Sequence, residues 1–227
     1  MPDCRRGWAA TLRPNCLPVR AANPPPPPNA TRRAALSGAD DHVVGWDVGG
    51  AHIKASLVSR RGILDVAQWP APLWQGLAHL DRALQAARER WPGLGGCRHA
   101  VTMTAEMTDL FEDREAGVAA LVERMQLGLD AHARYYAGPA SWLDAAAARC
   151  RWRAVASANW LATAECVGQH LGDALLLDIG STTTDIVPVV AGRPQPRREG
   201  DSERLRSGEL VYVGVARTPL CALAERI

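Results

Sequence analysis

Two stretches of this chain are written to one pattern. They are "VVGWDVGGAHIKASLV", Val43 to Val58, and "LLLDIGSTTTDIVPV", Leu175 to Val189. In each, an apolar run ends in Asp-x-Gly, small or hydroxyl residues follow, and a second apolar run begins. The pattern encodes a strand, a tight turn and a return strand. A single copy says little, because Asp and Gly suit hairpin turns in any protein. Two copies at domain spacing say much more, because an internal repeat implies repeated structural units.

The turn residues also carry a chemical reading. Phosphate oxygens need backbone N–H groups at close range, and therefore a turn without bulky side chains. Gly49, Gly50 and Gly180 allow that approach, and Ser181, Thr182, Thr183 and Thr184 add hydroxyl donors. Asp47, Asp178 and Asp185 are of the type that holds a hydrated Mg²⁺, and Asp47 also suits proton abstraction. Lys54 is either a point-charge partner for phosphate or a solvated strand lysine. From the residues alone, the chain binds a phosphorylated ligand between two related lobes.

Around these hairpins the chain reads as α/β. Residues 1–41, with Pro24 to Pro28, read as a disordered Pro/Arg-rich extension. Strands are expected at Val43–Asp47, Ile53–Val58 and Ile63–Trp69, an antiparallel meander whose Gly49-Gly50 turn tolerates positive φ. Helical spacing runs from Gln75 to Trp91 and from Glu115 to Ala131, with a strand at Ala100–Met103 between them. Tyr135 to Leu143 reads as strand or loop with a short helix, and Ala154–Ala156 as a strand. A helix follows, capped by Ser157 and closed by Gly172. After the second hairpin come the polar loop "GRPQPRREGDSERLRSG", a strand at Leu210–Val215, and a helix start with Thr218 as N-cap and Pro219 behind it.

Composition narrows the class. With 47% apolar residues a substantial core is available, and a net charge of +2 gives no argument for nucleic acid. No apolar run reaches membrane-spanning length and no signal-peptide core is visible, so a cytoplasmic protein without membrane partners is expected. The six Cys residues lack zinc spacing and read as free thiols, with Cys166 and Cys221 in the core.

The paired hairpins are similar to the phosphate motifs of the actin, sugar-kinase and Hsp70 superfamily. Together with "TAEMTDLFEDREAGV", "ASANWLATA" and "SGELVYVGVARTPLCALA" they resemble the hydantoinase/oxoprolinase-like proteins of tetrahydromethanopterin and methanofuran biosynthesis. The resemblance implies an RNase H-like lobe over residues 42–172 and the start of a second, duplicated lobe over 173–227. It implies a transferase that condenses an aminomethylfuran-methyl diphosphate with γ-glutamyltyramine and releases pyrophosphate, with Mg²⁺ at the diphosphate. The partners are then a small-molecule diphosphate and an amine or phenol. An ATP-dependent kinase or hydantoinase-type hydrolase, and a non-catalytic nucleotide-binding remnant, are the alternatives on the same fold. A complete second lobe needs roughly a hundred residues or more. The resemblance therefore implies a shortened second lobe and weak or absent turnover.

Several other residues are candidates for the cleft. Glu106 and Asp109 follow a strand and suit a base or amine contact, or ordinary capping of the next helix. His52 lies in the first turn, Asn159 and Trp160 precede the second hairpin, and Tyr212 follows it. Each also has a plain reading, as an exposed turn residue or as packing.

Overall fold

The computed structural model describes residues 42–129, 133–139, 141–197, 200–216 and 218. The extension over 1–41 and the helix expected from Pro219 lie outside them, as does Cys221.

The meander forms as expected. Strands β1 (Val43–Val48), β2 (His52–Ser59) and β3 (Gly62–Pro70) are antiparallel neighbours. Strand β4 (Arg98–Met103) then lies parallel to β1, and β5 (Ala133–Tyr136) lies parallel to β4. The short β6 (Trp142–Leu143) closes the order β3-β2-β1-β4-β5-β6. This is the α/β, RNase H-like lobe that the family resemblance implies.

Alternation decides which face of that sheet is buried. Val44, Trp46 and Val48 on β1 stand opposite Leu57, Ala55 and Ile53 on β2. All six belong to one core with Leu80, Leu84 and Ala87 of helix α1 (Ala78–Arg90) and Val118, Leu121, Val122 and Met125 of α2 (Arg114–Leu129). Tryptophan does much of the filling. Trp46 stacks on Trp69 at 6.4 Å, Trp69 meets Trp91 edge-on at 5.8 Å, and the Trp46 indole donates to His99 Nδ1 at 3.1 Å. At the rim Asp65 accepts from the Trp91 indole and pairs with Arg90 at 2.7 Å, and the guanidinium holds the Asp65 carboxyl below its usual range.

Short helices α3 (Ala145–Cys150) and α4 (Trp152–Val155) lead to the second unit. Its sheet runs β10-β8-β7, with β7 at Ala174–Ile179, β8 at Thr184–Val190 and β10 at Leu210–Val211, while β9 (Arg193–Pro194) also pairs with β8. Helix α5 (Asn159–Gly168) covers one face through Trp160 and Ala164, which meet Val187. The other face carries Leu175, Leu177 and Ile179, each more than half exposed.

Six local expectations change. Ala154–Ala156 is not a strand: α4 takes the stretch, and Ala156 makes a single parallel bridge to Met103. Ser157 does not cap α5; the cap position is Ala158, without a side-chain bond, because the Ser157 hydroxyl is engaged elsewhere. The helix ends at Gly168, not Gly172, where a side chain would strike the Gly192 carbonyl. The polar loop contains β9 and a charged helix α6 (Asp201–Ser207), closed by Gly208 at φ 76°. The ladder after it stops at Val211 rather than Val215. Cys166 is exposed because α5 packs through the face that bears Trp160 and Ala164.

One close approach ties this packing to the later chemistry. A Cβ on Gly117 of α2 would lie 2.9 Å from the Cα, Cβ and carbonyl oxygen of Glu106. Gly117→Ala gains helix propensity of about 1 kcal/mol but must push α2 away from that turn. We expect a net loss of roughly 1–3 kcal/mol in urea unfolding, with an unchanged or higher midpoint contradicting the tight contact.

Candidate functional site

The two hairpin turns close with the same hydrogen bond. The Gly49 amide donates to the His52 carbonyl at 3.1 Å, and the Gly180 amide donates to the Thr183 carbonyl at 2.8 Å. In both turns a Cβ on that glycine would crowd the carbonyl it bonds, at 2.9 and 3.2 Å. Glycine is required here for space, not for backbone hand: neither Gly49 nor Gly50 has positive φ. A Cβ on Gly50 would meet Thr108 Cγ2 at 2.9 Å. The expected phosphate donors therefore shift along the chain. The Gly49 and Gly180 amides are spent on closing the turns. The amides of Gly50, Ala51, Ser181 and Thr182 find no acceptor among the described residues.

Both turns open on one cleft of ≈ 630 Å³. Asp47, Gly49, Gly50 and Lys54 line it from the first hairpin, Asp109 from the loop after β4, and Gly180, Ser181, Thr182, Thr183 and Asp185 from the second hairpin. His52, Asn159, Trp160 and Tyr212 also line it. Three expected site residues do not, Glu106 among them. Thr184 turns its hydroxyl to the Val213 carbonyl at 2.6 Å, and Asp178 is absent from the wall.

The hairpins repeat in backbone but differ in charge. In the first, Asp47 stands directly opposite Lys54, and the side chains pair at 3.0 Å. In the second, the same two positions are Asp178 and Asp185, so like charges face each other across the ladder. The compensating cation comes from α6. Arg204 Nη1 lies 2.9 Å from Asp185 Oδ1, and the residue is 1% exposed. Its guanidinium sits 3.7 Å from the Trp160 ring centre, and Nη2 donates to the Glu209 carbonyl. Burial raises the Asp185 pKa, Arg204 opposes the rise, and the charges of Asp178 and Asp201 add to it.

Glu106 was expected on the cleft wall and lies behind it. Its carboxyl is buried, with Oε1 accepting from Ser157 Oγ at 2.7 Å and from Arg114 Nη2 at 3.1 Å. Arg114 also pairs through Nη1 with Asp201 of α6 at 2.9 Å. Ser157 lines the cleft in a left-handed conformation, φ 52°, unusual for a residue with a side chain. This network joins the loop after β4, the start of α2, the segment before α5 and the start of α6. Burial raises the Glu106 pKa, while Ser157 and Arg114 hold it down.

Arg204, Asp201, Arg114 and Ser157 were missed as functional residues in the sequence. The first two lie in a stretch that reads as polar loop, and only its i, i+3 charge pattern hints at a helix. Ser157 reads as an N-cap.

Three measurements test these charges. Removing Arg204 with Arg204→Gln takes away the cation that restrains Asp185, so carboxyl NMR should show its pKa moving further up, with a fall refuting the pairing. That variant should also lose roughly 3 kcal/mol of stability, as broken buried pairs do. Because the folded Glu106 pKa is raised, its contribution to stability is full below the unfolded value of about 4.3 and is lost as pH rises through the folded value. The stability of the native chain relative to Glu106→Gln should therefore be greater near pH 4 than near pH 7. A difference that grows with pH would mean that Arg114 outweighs burial.

Comparison with known proteins fixes the family. The (4-{4-[2-(gamma-L-glutamylamino)ethyl]phenoxymethyl}furan-2-yl)methanamine synthase of Methanocaldococcus jannaschii is 28% identical over 186 residues, covering 82% of this chain and 54% of that protein. The protein of the same name from Methanococcus vannielii is 48% identical over 65 residues, or 28% of this chain and 29% of that one. The chain thus spans about half the length, or less, of these relatives. Among solved structures, a Ppx/GppA family member from Aquifex aeolicus overlaps 68% of this chain and 49% of its own, at 11% identity and a TM-score of 0.43. The hydantoinase/oxoprolinase family model matches residues 98–226, more than half of the chain, and the chain belongs to that family.

Proposed function

We propose that the chain is a transferase of one-carbon carrier biosynthesis that joins an aminomethylfuran-methyl diphosphate to γ-glutamyltyramine. The observation that carries this reading is the pair of hairpin turns facing one cleft, with unbonded amides at Gly50, Ala51, Ser181 and Thr182. Such donors suit a diphosphate, and the name shared by the two methanogen relatives supports the furan and phenol partners.

In this reaction the phenol oxygen attacks the furan methylene carbon. The carbon–oxygen bond to the diphosphate breaks, and pyrophosphate leaves with the electron pair. The phenol proton passes to a carboxylate. Asp109 and Asp47, both on the cleft wall, are the candidate bases. Lys54 and the turn amides take up charge on the leaving group.

The residues present suit a hydrated Mg²⁺. Asp47 keeps Oδ1 buried and without a hydrogen-bond partner among the described residues, while Lys54 holds Oδ2. Among the described residues no three His, Cys, Asp or Glu side chains gather as a metal cage. Mg²⁺ does not need one, since it commonly keeps several waters and binds through one or two carboxylates and the substrate phosphates. Asp47 and Asp185 would hold it, and it would supply neutralisation of the charge on the leaving diphosphate.

The test is incubation of the chain with both substrates, with mass detection of the ether and a pyrophosphate assay. We expect slow formation of ether and pyrophosphate in equal amounts, and no ADP when ATP is supplied. ATP-dependent product formation without the furan diphosphate would replace this reading with a kinase or hydrolase.

A further inference from the structure

The cleft has an apolar shelf that the phosphate-binding reading does not use. Trp74 and Met107 both line it, and they are 46% and 50% exposed. Each belongs to a single 3₁₀ turn whose neighbouring residue is fully buried: Leu73 beside Trp74, and Ala105 in the turn of Met107. The turns are thus anchored in the core while their largest apolar side chains point to the cleft.

Both turns are fastened to the first hairpin. The Leu73 amide donates to the Gly50 carbonyl at 2.9 Å, and the Ala71 amide to the Ala51 carbonyl at 2.9 Å. On the other side, Thr108 fills the space that a Gly50 side chain would need, and its hydroxyl donates to the Ala105 carbonyl at 2.9 Å. The apolar shelf and the donor-bearing turn therefore form one rigid piece. Asp109 and His52 line the same cleft with polar groups.

A tryptophan face and a thioether in one cleft with a carboxylate and an imidazole suit a flat aromatic ring with a polar end. We infer that Trp74 and Met107 form the subsite for the aromatic ring of the phenolic acceptor. The ring lies against Trp74, its hydroxyl toward Asp109 and the first turn. The inference rests on the proposed function for the identity of the acceptor, and its binding test does not need turnover.

The experiment is calorimetric titration of the full chain with γ-glutamyltyramine, with the alkyl analogue γ-glutamyl-butylamine, and with inorganic pyrophosphate. The native chain should bind the phenolic ligand more tightly than the alkyl one. Trp74→Ala should weaken the phenolic ligand about tenfold, and Trp74→Phe, which keeps a ring face, by no more than about threefold. Pyrophosphate affinity should not change in either variant. Equal binding of the phenolic ligand by the native chain and Trp74→Ala overturns the subsite. So does a parallel loss of pyrophosphate binding, which would mark a structural role for Trp74, and so does an absence of phenolic binding in the native chain. Trp74-dependent phenolic binding without ether formation keeps the subsite and overturns the proposed reaction.

Discussion

Everything at the cleft depends on how each hairpin turn is closed. The glycine amide is consumed by the carbonyl three residues on, at Gly49–His52 and Gly180–Thr183. That bond bends the chain back tightly, and it leaves the next two amides without an acceptor among the described residues. Unpaired amides at the surface are satisfied by water, and an anion replaces that water at small cost. The absence of a Cβ at the first glycine permits the bond, because a side chain there would press on the accepting carbonyl. The repeat is therefore conserved in mechanism between the two copies, although the residues after the glycine differ.

Charge is where the copies part. The Asp47–Lys54 pair is satisfied within one hairpin and is partly open to water, so it contributes little to stability. The Asp178–Asp185 pair is not satisfied within its hairpin and requires Arg204 from outside. A buried guanidinium is expensive unless it is paired and stacked, and Arg204 is both, against Asp185 and Trp160. The second turn is consequently locked to α5 and α6, whereas the first is locked to the 3₁₀ turns that carry Trp74 and Met107.

These differences decide what the sequence could disclose. The meander and the echo of the hairpins are local patterns of period two and turn chemistry, and they are legible in Val43–Trp69 and Leu175–Val189, whereas the parallel pairing of β4 with β1 is long-range and is not. Asp47, Lys54, Gly49 and Gly180 fall in their own hairpins and are found the same way. Arg204 is not legible: its partner Asp185 lies on another element, and no local rule links a charge in a polar stretch to a like-charged pair upstream. Glu106 was assigned to the wall because it follows a strand. A single 3₁₀ turn instead places it behind the wall, while Met107 beside it reaches the cleft. Ser157 matches the pattern of a helix cap, but the buried Glu106 and Arg114 hold its hydroxyl more firmly than a helix end would.

The two sheets are unequal, and the inequality gives the Glu106 network its importance. The first sheet sits on a large continuous core, whereas the second relies on Trp160, Ala164 and Val187 and leaves Leu175, Leu177 and Ile179 exposed on its other face. So small a core supplies little resistance to local opening. Contacts to the first sheet must supply part of the rest, and among the described residues these include Arg114 to Asp201, Arg114 and Glu106 to Ser157, the bridge from Met103 to Ala156, and the Tyr136 hydroxyl donating to Glu165. All but the last gather at the back of the cleft. The same bonds that hold the second sheet in place therefore also set the separation of the two turns, so the width of the cleft and the order of the second sheet are governed by one small set of side chains.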